Sequence, residues 1–330
     1  MTTPRVSVLM MFHRVTPFLR PAVASVLQQT WPNLELVLVD NGTGAGLQPL
    51  GEYGADPRIR LVSQATNLGI AAATNAALAR ATGEFIALLD HDDIALPRRL
   101  ELQVAALNAD PALGLVSSWA EQIDANGRVI GREFALTEPR AQFVFSGYTN
   151  PAPAPSHTAR RCVFERFPWR AEFTCAGDYD FFARAAEAWA MRAVPEVLLQ
   201  YRCHPGQATR ERHSAQVCEA AVARLLTARR RAGRPENFPQ LVGEVRGWLD
   251  RPPPPAITFE HFARRCLQEG FPLLAVYHAR KLLSQERAPA AVARALRIVT
   301  AAIRLAPGET GTLLRMFATG PLRTHGLRPA

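Results

Sequence analysis

Residues 84–93 read EFIALLDHDD, and residues 94–100 continue IALPRRL. The run Glu84–Leu89 is short and apolar and reads as a buried strand. It ends abruptly in Asp90-His91-Asp92-Asp93. Pro97–Asn108 then has the spacing of a helix. Carboxylates bunched within one turn repel each other and cost stability unless a cation or donors compensate them. The spacing Asp90-x-Asp92 after an apolar strand suits a divalent ion. Hard oxygen ligands favour Mg²⁺ or Mn²⁺, which take one or two protein carboxylates together with phosphate oxygens and water. Such an ion would bridge a diphosphate and neutralise its charge as it leaves. The competing reading is that Asp92 or Asp93 caps the next element.

Working outward, strand and helix signals alternate. Val6–Phe12, Leu34–Val39 and Arg58–Val62 read as strands before the acidic stretch, and Leu113–Trp119 reads as one after it. Between them, helical patterns run from Pro17 to about Gln29 and over Leu68–Ala81, the latter stopped by Gly83. This alternation predicts an α/β fold with a mainly parallel, doubly wound, Rossmann-like sheet. Asn126-Gly127 marks a hairpin turn. Tyr148–Ser156 (YTNPAPAPS) holds three prolines and reads as an ordered loop or lid. A helix is expected over Asp178–Ala190 and a strand over Val194–Arg202. Acids recur at strand ends and a helix start: Asp40, then Asp90/Asp92/Asp93, then Asp178/Asp180. Open α/β sheets place ligands at the C-terminal ends of their strands. For Asp178 the competing reading is a helix cap.

From about Glu211 the pattern is helical throughout, over 215–231, 239–249, 259–268, 273–284 and 288–305. A proline-rich spacer, residues 251–255, interrupts it. The chain therefore divides into an α/β domain over 1–210 and a basic helical domain over 211–330. Charge divides the same way. Residues 1–210 carry 19 Arg against 20 Asp and Glu, a net of −1, and residues 211–330 carry 18 Arg and Lys281 against 9 acids, a net of +10. The basic part could meet an anionic membrane surface, nucleic acid or a partner, or be a solvated helical surface. Aromatic residues are sparse in it and no nucleic-acid module is recognisable, so nucleic acid is not an expected partner.

With 48% hydrophobic and 20% charged residues over 330 positions, global disorder is excluded. No apolar run approaches the ~18–20 residues of a membrane-spanning helix. Met1–Arg5 lacks the basic start of a signal peptide, which predicts a cytoplasmic location. The five scattered cysteines form no CxxC pair, which argues against a disulfide framework or a zinc ribbon.

Taken in order, strand Val6–Phe12, VDNGT at 39–43, NLGIAAATNAAL at 67–78 and LLDHDD at 88–93 resemble family 2 glycosyltransferases of the GT-A fold. NPAPAPS at 150–156 with RR at 160–161, GDYDFFAR at 177–184 and YRCHPGQAT at 201–209 continue the likeness, which spans about residues 5–209. The resemblance implies an inverting transfer of sugar from a nucleotide-diphosphate donor. It implies that Asp40 contacts the nucleotide base, that Asp90 lies near ribose and diphosphate, and that Asp92 binds the metal with His204 closing on it. Asn67, Gly69 and Asn75 would shape the nucleotide-sugar pocket. Asp178 matches the second acid of the family's Glu-Asp pair and would be the catalytic base. For His204 the alternative is a surface loop histidine. His91 falls at the variable position of the motif.

Two positions depart from the family pattern. VDDGS reads VDNGT here, so Asn41 replaces an acid. The Glu-Asp pair reads Gly177-Asp178, which removes a like charge that would raise the base's pKa. Asp180 is the alternative base. An inverting transfer needs one base to take the proton of the acceptor hydroxyl, and no covalent nucleophile. The acceptor would be a surface glycan or a lipid-linked sugar, with the basic tail docked at the inner membrane face or on a partner enzyme. The alternative is a weak or inactive GT-A-like scaffold that binds nucleotide sugar or glycan and recruits partners through its tail. A sugar nucleotidyltransferase is disfavoured, because residues 10–17 (MMFHRVTP) after the first strand contain no glycine.

Overall fold

The computed structural model describes residues 3–251 and 253–319. Strand β1 (Val6–Phe12) buries all but one of its side chains, and β2 (Leu34–Asn41) buries every one. Burial on both faces is what a strand between two helical layers requires. Helix α1 (Leu19–Leu27) connects these strands. A 3₁₀ turn at Gln48–Ala55 leads to β3 (Ile59–Gln64), and α2 (Ile70–Arg80) leads to β4 (Phe85–Leu88). The order β3-β2-β1-β4 is parallel throughout, with Phe12 level with Asp40.

The second half of the sheet is mixed. It comprises β5 (Ile94–Ala95), α3 (Arg99–Ala109), β6 (Leu113–Ile123), β7 (Val129–Glu133), α4 (Pro139–Ser146), β8 (Thr158–Arg160), α5 (Arg161–Arg166), α6 (Gly177–Ala186) and β9 (Ala190–Arg202). Strand β8 is antiparallel to both β4 and β6, which restores the common direction for β6 and β9. Apolar clusters fill both faces. Leu19, Val23, Leu100 and Val104 lie on one, and Ala73, Ala77, Phe164 and Phe181 on the other.

Several boundaries differ from expectation. The helix expected over 178–190 ends at Ala186, because the Ala190 amide joins Ala112 and opens the β9 ladder. Strand β9 therefore starts four residues earlier than expected. Its register jumps between the Ser118–Val194 and Trp119–Val197 pairs, leaving Pro195 and Glu196 as a bulge. Proline has no N–H to give a ladder, which accounts for the position of the break. The 126–127 turn is present between β6 and β7, with Gly127 at φ +82°.

Residues Met1–Ser146 and Asn150–Gln207 form one compact unit, and Gly147–Thr149 belongs with Ala208–Ala330 in the other. The second unit holds α7 (Ala208–Glu211), α8 (His213–Arg231), α9 (Phe238–Asp250), α10 (Pro255–Gln268), α11 (Pro272–Gln285), α12 (Pro289–Leu305) and α13 (Thr310–Thr319). Of the expected spacer 251–255, Pro255 opens α10 and Pro254 is its N-cap, whereas Pro252 lies outside the described residues. Proline at the first turn costs no hydrogen bond and pre-sets φ, and α11 and α12 begin the same way.

His278 lies in the core of this unit, fully buried, with neither ring nitrogen hydrogen-bonded among the described residues. Phe259 and Phe262 of α10 face it at 6.0 Å between ring centroids, and Tyr277 at 5.5 Å. Burial lowers its pKa well below 6.5, and the charges of Arg224 and Lys281 add to the effect. The folded chain thus holds His278 neutral, and the unfolded chain protonates it below about pH 6.5. Its contribution is fully present above that pH and is lost as pH falls, at up to about 1.4 kcal/mol per unit. Urea midpoints between pH 7 and 5.5 should fall less steeply for His278→Leu than for the wild type. An identical slope would place the acid sensitivity elsewhere.

Candidate active site

Asp40 ends β2 and is almost fully buried. One carboxylate oxygen accepts from the Thr43 amide at 2.8 Å and its hydroxyl at 2.6 Å, and the other from the Gly46 amide at 2.8 Å. Burial pushes this carboxyl up, but the hydrogen bonds outweigh it and hold the group below its usual range. Asp40 thereby fixes the turn after β2. Asn41 fixes the loop beside it. Its amide donates to Asn67 Oδ1 at 3.0 Å, and its oxygen accepts from the Leu68 amide at 3.0 Å. Asn67 Oδ1 also takes the Gly69 amide at 2.9 Å. Gly42 makes the approach possible. At φ +91°, a Cβ there would lie 2.4 Å from the Asn67 nitrogen. Asn75 sits further along α2 and clamps the Trp169 backbone with two hydrogen bonds.

The three acids after β4 converge, with ligand oxygens of Asp90, Asp92 and Asp93 all within 4.8 Å of one another. Asp90 is exposed at the end of β4, yet protein surrounds its carboxyl closely enough to strip part of its hydration. Loss of hydration there, reinforced by the charges of Asp92 and Asp178, pushes its carboxyl up to about 7. Asp92 Oδ2 meets His204 Nε2 at 2.9 Å, and the His204 ring leans on Phe18 at 4.9 Å. Asp93 is fully buried. One oxygen accepts from the Arg202 amide at 2.8 Å, and the other has no partner among the described residues. Burial and the neighbouring acids raise its pKa well above normal. Glu35 is an instructive contrast. It is equally buried, yet Ser7, Thr82, Arg5 and Arg60 satisfy it, and its carboxyl stays below the usual range although burial alone would raise it.

Two arginines that the sequence reading did not single out support this cluster. Arg99 opens α3, is 1% exposed, and donates to the Leu88 carbonyl at 2.8 Å and the His157 carbonyl at 3.1 Å. It joins the end of β4 to β8. Burial lowers its guanidinium to about 10 against the pull of Asp93 and Asp90, so it remains a cation at neutral pH. Arg202, at the end of β9, donates to the Asp92 carbonyl at 2.8 Å and lies over the Phe18 ring at 4.7 Å. Its place inside the YRCHPGQAT segment, two residues before His204, is the one sequence signal for this role. The oxygen-rich donors and the unpartnered Asp93 oxygen fit a hard divalent cation. For His204 to reach such an ion, its nitrogen would exchange Asp92 for it.

Asp178 and Asp180 lie in the first turn of α6 but face different surroundings. Asp178 is half-buried, accepts from the Asn150 amide at 2.5 Å, and is near enough to Asp90 to raise it. Asp180 is fully buried and bonded to Arg170 at 3.2 Å and Arg184 at 2.8 Å. At Gly177 a Cβ would lie 3.1 Å from the Trp169 ring. His91 is half-buried, and its ring meets His13 edge-on at 6.3 Å. Burial lowers its pKa, against the pull of Asp92.

Comparison with known proteins places this arrangement. Residues 7–165 match the family model described as glycosyl transferase family 2. An uncharacterized glycosyltransferase of Methanocaldococcus jannaschii is 30% identical over 211 residues, covering 61% of this chain and 72% of that protein. The Escherichia coli protein WfgD, a UDP-Glc:alpha-D-GlcNAc-diphosphoundecaprenol beta-1,3-glucosyltransferase, is 34% identical over 127 residues, 38% of this chain and 49% of its own. Among solved structures, the Pyrobaculum calidifontis mannosyltransferase PcManGT, in complex with GDP-Man and Mn²⁺, superposes with a TM-score of 0.54 at 20% identity, over 97% of this chain and 86% of its own. The fold is that of GT-A glycosyltransferases, and by sequence, sheet order and acidic cluster together the chain belongs to glycosyltransferase family 2.

Proposed function

We propose that the protein moves a sugar from a nucleotide-diphosphate donor to a hydroxyl of a surface glycan or lipid-linked acceptor in a single inverting displacement. The observation that carries this reading is the convergence of three carboxylates after β4, with Asp178 beside Asp90. Asp92 and His204, with Asp90 alongside, would hold Mg²⁺ or Mn²⁺. Such an ion, when bound, offsets the charge of the departing diphosphate. Asp40 at the end of β2, Asn67 and Gly69 in the loop after β3, and Asn75 on α2 form the donor side. The lipid-linked option draws on WfgD, whose name specifies a diphosphoundecaprenol acceptor.

Asp178 is assigned as base. Its carboxylate takes the proton of the acceptor hydroxyl, the oxygen attacks the anomeric carbon from the opposite face, and the nucleoside diphosphate leaves with the bonding electrons. Asp180 is left out of this step because two arginines occupy it in the core. A second reading, a scaffold with little turnover, draws on Gly177 in place of an acid.

Calorimetry with UDP, GDP and dTDP, each with and without Mn²⁺, tests the donor site. One nucleotide should bind in a metal-dependent way, more tightly as pH rises through about 7 and Asp90 ionises. Asp92→Ala should weaken that binding by more than the ~10–100-fold that loss of an outer-shell partner costs. Unchanged affinity would remove Asp92 from the metal site.

Asp178→Asn should keep donor affinity and lower turnover by about 10²–10⁴-fold. Asp180→Asn should instead destabilise the fold by about 3–5 kcal/mol, since it removes the fully buried carboxylate that Arg170 and Arg184 share. Full activity of Asp178→Asn in cells would favour the scaffold. Gly177→Glu restores the family's acid in sequence only. Its Cβ crowds Trp169, so it should destabilise by about 1–3 kcal/mol and give no gain in turnover. A more active and equally stable variant would contradict that account.

A further inference from the structure

We propose that the outward face of α12 in the helical unit docks on an anionic lipid bilayer. Helix α12 turns Ala291, Ala295, Ile298, Val299 and Ala302 into the bundle. Its opposite face carries the row Val292, Leu296, Thr300, Arg304 at four-residue spacing, with Arg297 beside it, and all five are exposed. Val292 is 38% and Leu296 50% exposed. Large aliphatic side chains left in water next to cations are the composition of a helix lying in a membrane interface.

Charge supports the same partner. Several acids of this unit are engaged with other arginines: Glu269 with Arg229 and Arg265, Glu236 with Arg230, Glu244 with Arg265, and Glu260 with Arg264. Within α12 itself Arg294 is bonded to Glu260 and Glu286. Arg297 and Arg304 form no ion pair among the described residues. The net +10 of residues 211–330 therefore has an outlet on the face that exposes the aliphatic row. Arginine can lay its stem along an acyl boundary while its guanidinium meets lipid phosphate. Nucleic acid would satisfy the charge but not the leucine. The large hydrophobic side chains this unit exposes among the described residues are all aliphatic (Ile257, Val292, Leu296, Leu305 and Leu314), which offers bases no stacking platform. The inference deepens the lipid-linked acceptor reading, since a protein held at the bilayer meets such an acceptor in two dimensions.

The test is co-sedimentation of the full chain with phosphatidylcholine vesicles, with and without phosphatidylglycerol. Binding should require phosphatidylglycerol and weaken with salt. Arg297→Ala and Arg304→Ala should each lower partitioning about fivefold, and Leu296→Gln should lower it further. Alanine and glutamine favour helices, so circular dichroism should stay unchanged. Equal binding to both vesicle types, or full binding by the Arg297→Ala/Arg304→Ala double variant, would overturn the proposal. So would a chain that ignores vesicles but shifts a short RNA duplex. Nucleotide titration of the same variants keeps the two readings apart. Loss of nucleotide binding by the wild type would end the transferase reading and leave the vesicle result standing.

Discussion

Three carboxylates confined within 4.8 Å at the end of one strand form the constraint around which the α/β unit is arranged. Left alone they would repel one another and splay the loop. Arg99 holds the strand ends beneath them, Arg202 ties the loop through its own backbone and side chain, and His204 takes up Asp92. These supports come from a helix start, a strand end and the loop after it. The mixed half of the sheet is thus part of the site: β8 and β9 bring up the groups that let the acidic loop exist. The compensation is incomplete, as the unpartnered oxygen of Asp93 and the raised carboxyl of Asp90 show. An added divalent charge would complete it.

Much of this was legible in the sequence, because its causes are local. The apolar runs 6–12, 34–39 and 84–89 read as buried strands, and the acids that end the second and third then fall at the sheet's C-terminal edge. Proline at the first turns of α10, α11 and α12 is an equally local signal, although residues 251–255 read as a spacer and Pro255 opens a helix. What escaped the reading depends on distant partners. Arg184, at i+4 on the same helix, already sets Asp180 apart from Asp178, but only the placement of Arg170 beside it shows that two arginines draw Asp180 inward while Asp178 stays near Asp90. Arg99 looks like an ordinary helix-opening arginine until β8 is placed against β4. Strand β8 has three residues and β5 two, too short for any periodicity to show. The end of α6 was misjudged because Glu187–Trp189 continue the helical pattern while the ladder with β6 claims the chain at Ala190.

The same comparison clarifies Asn41. Where the family carries a second acid, this chain has an amide that donates to Asn67 and accepts from Leu68. An aspartate could accept but not donate, so the paired loops would meet through like dipoles unless Asn67 turned over. The substitution therefore belongs with Asn67 and Gly42 as one locally consistent unit, independent of the acids after β4.

Two partners of the acidic loop also lie far along the chain: Asp93 and Arg202 are 109 residues apart, and Asp92 and His204 are 112. During synthesis at roughly 5–20 residues per second, Arg99 follows the acids at once, but Arg202 and His204 leave the ribosome roughly 5–20 seconds after them. The first four parallel strands have a full apolar complement by then, but the loop at their edge has not. The nascent chain passes through a stage with a sheet already able to form and an acidic edge still electrostatically open, and only the end of the last strand of the unit closes it.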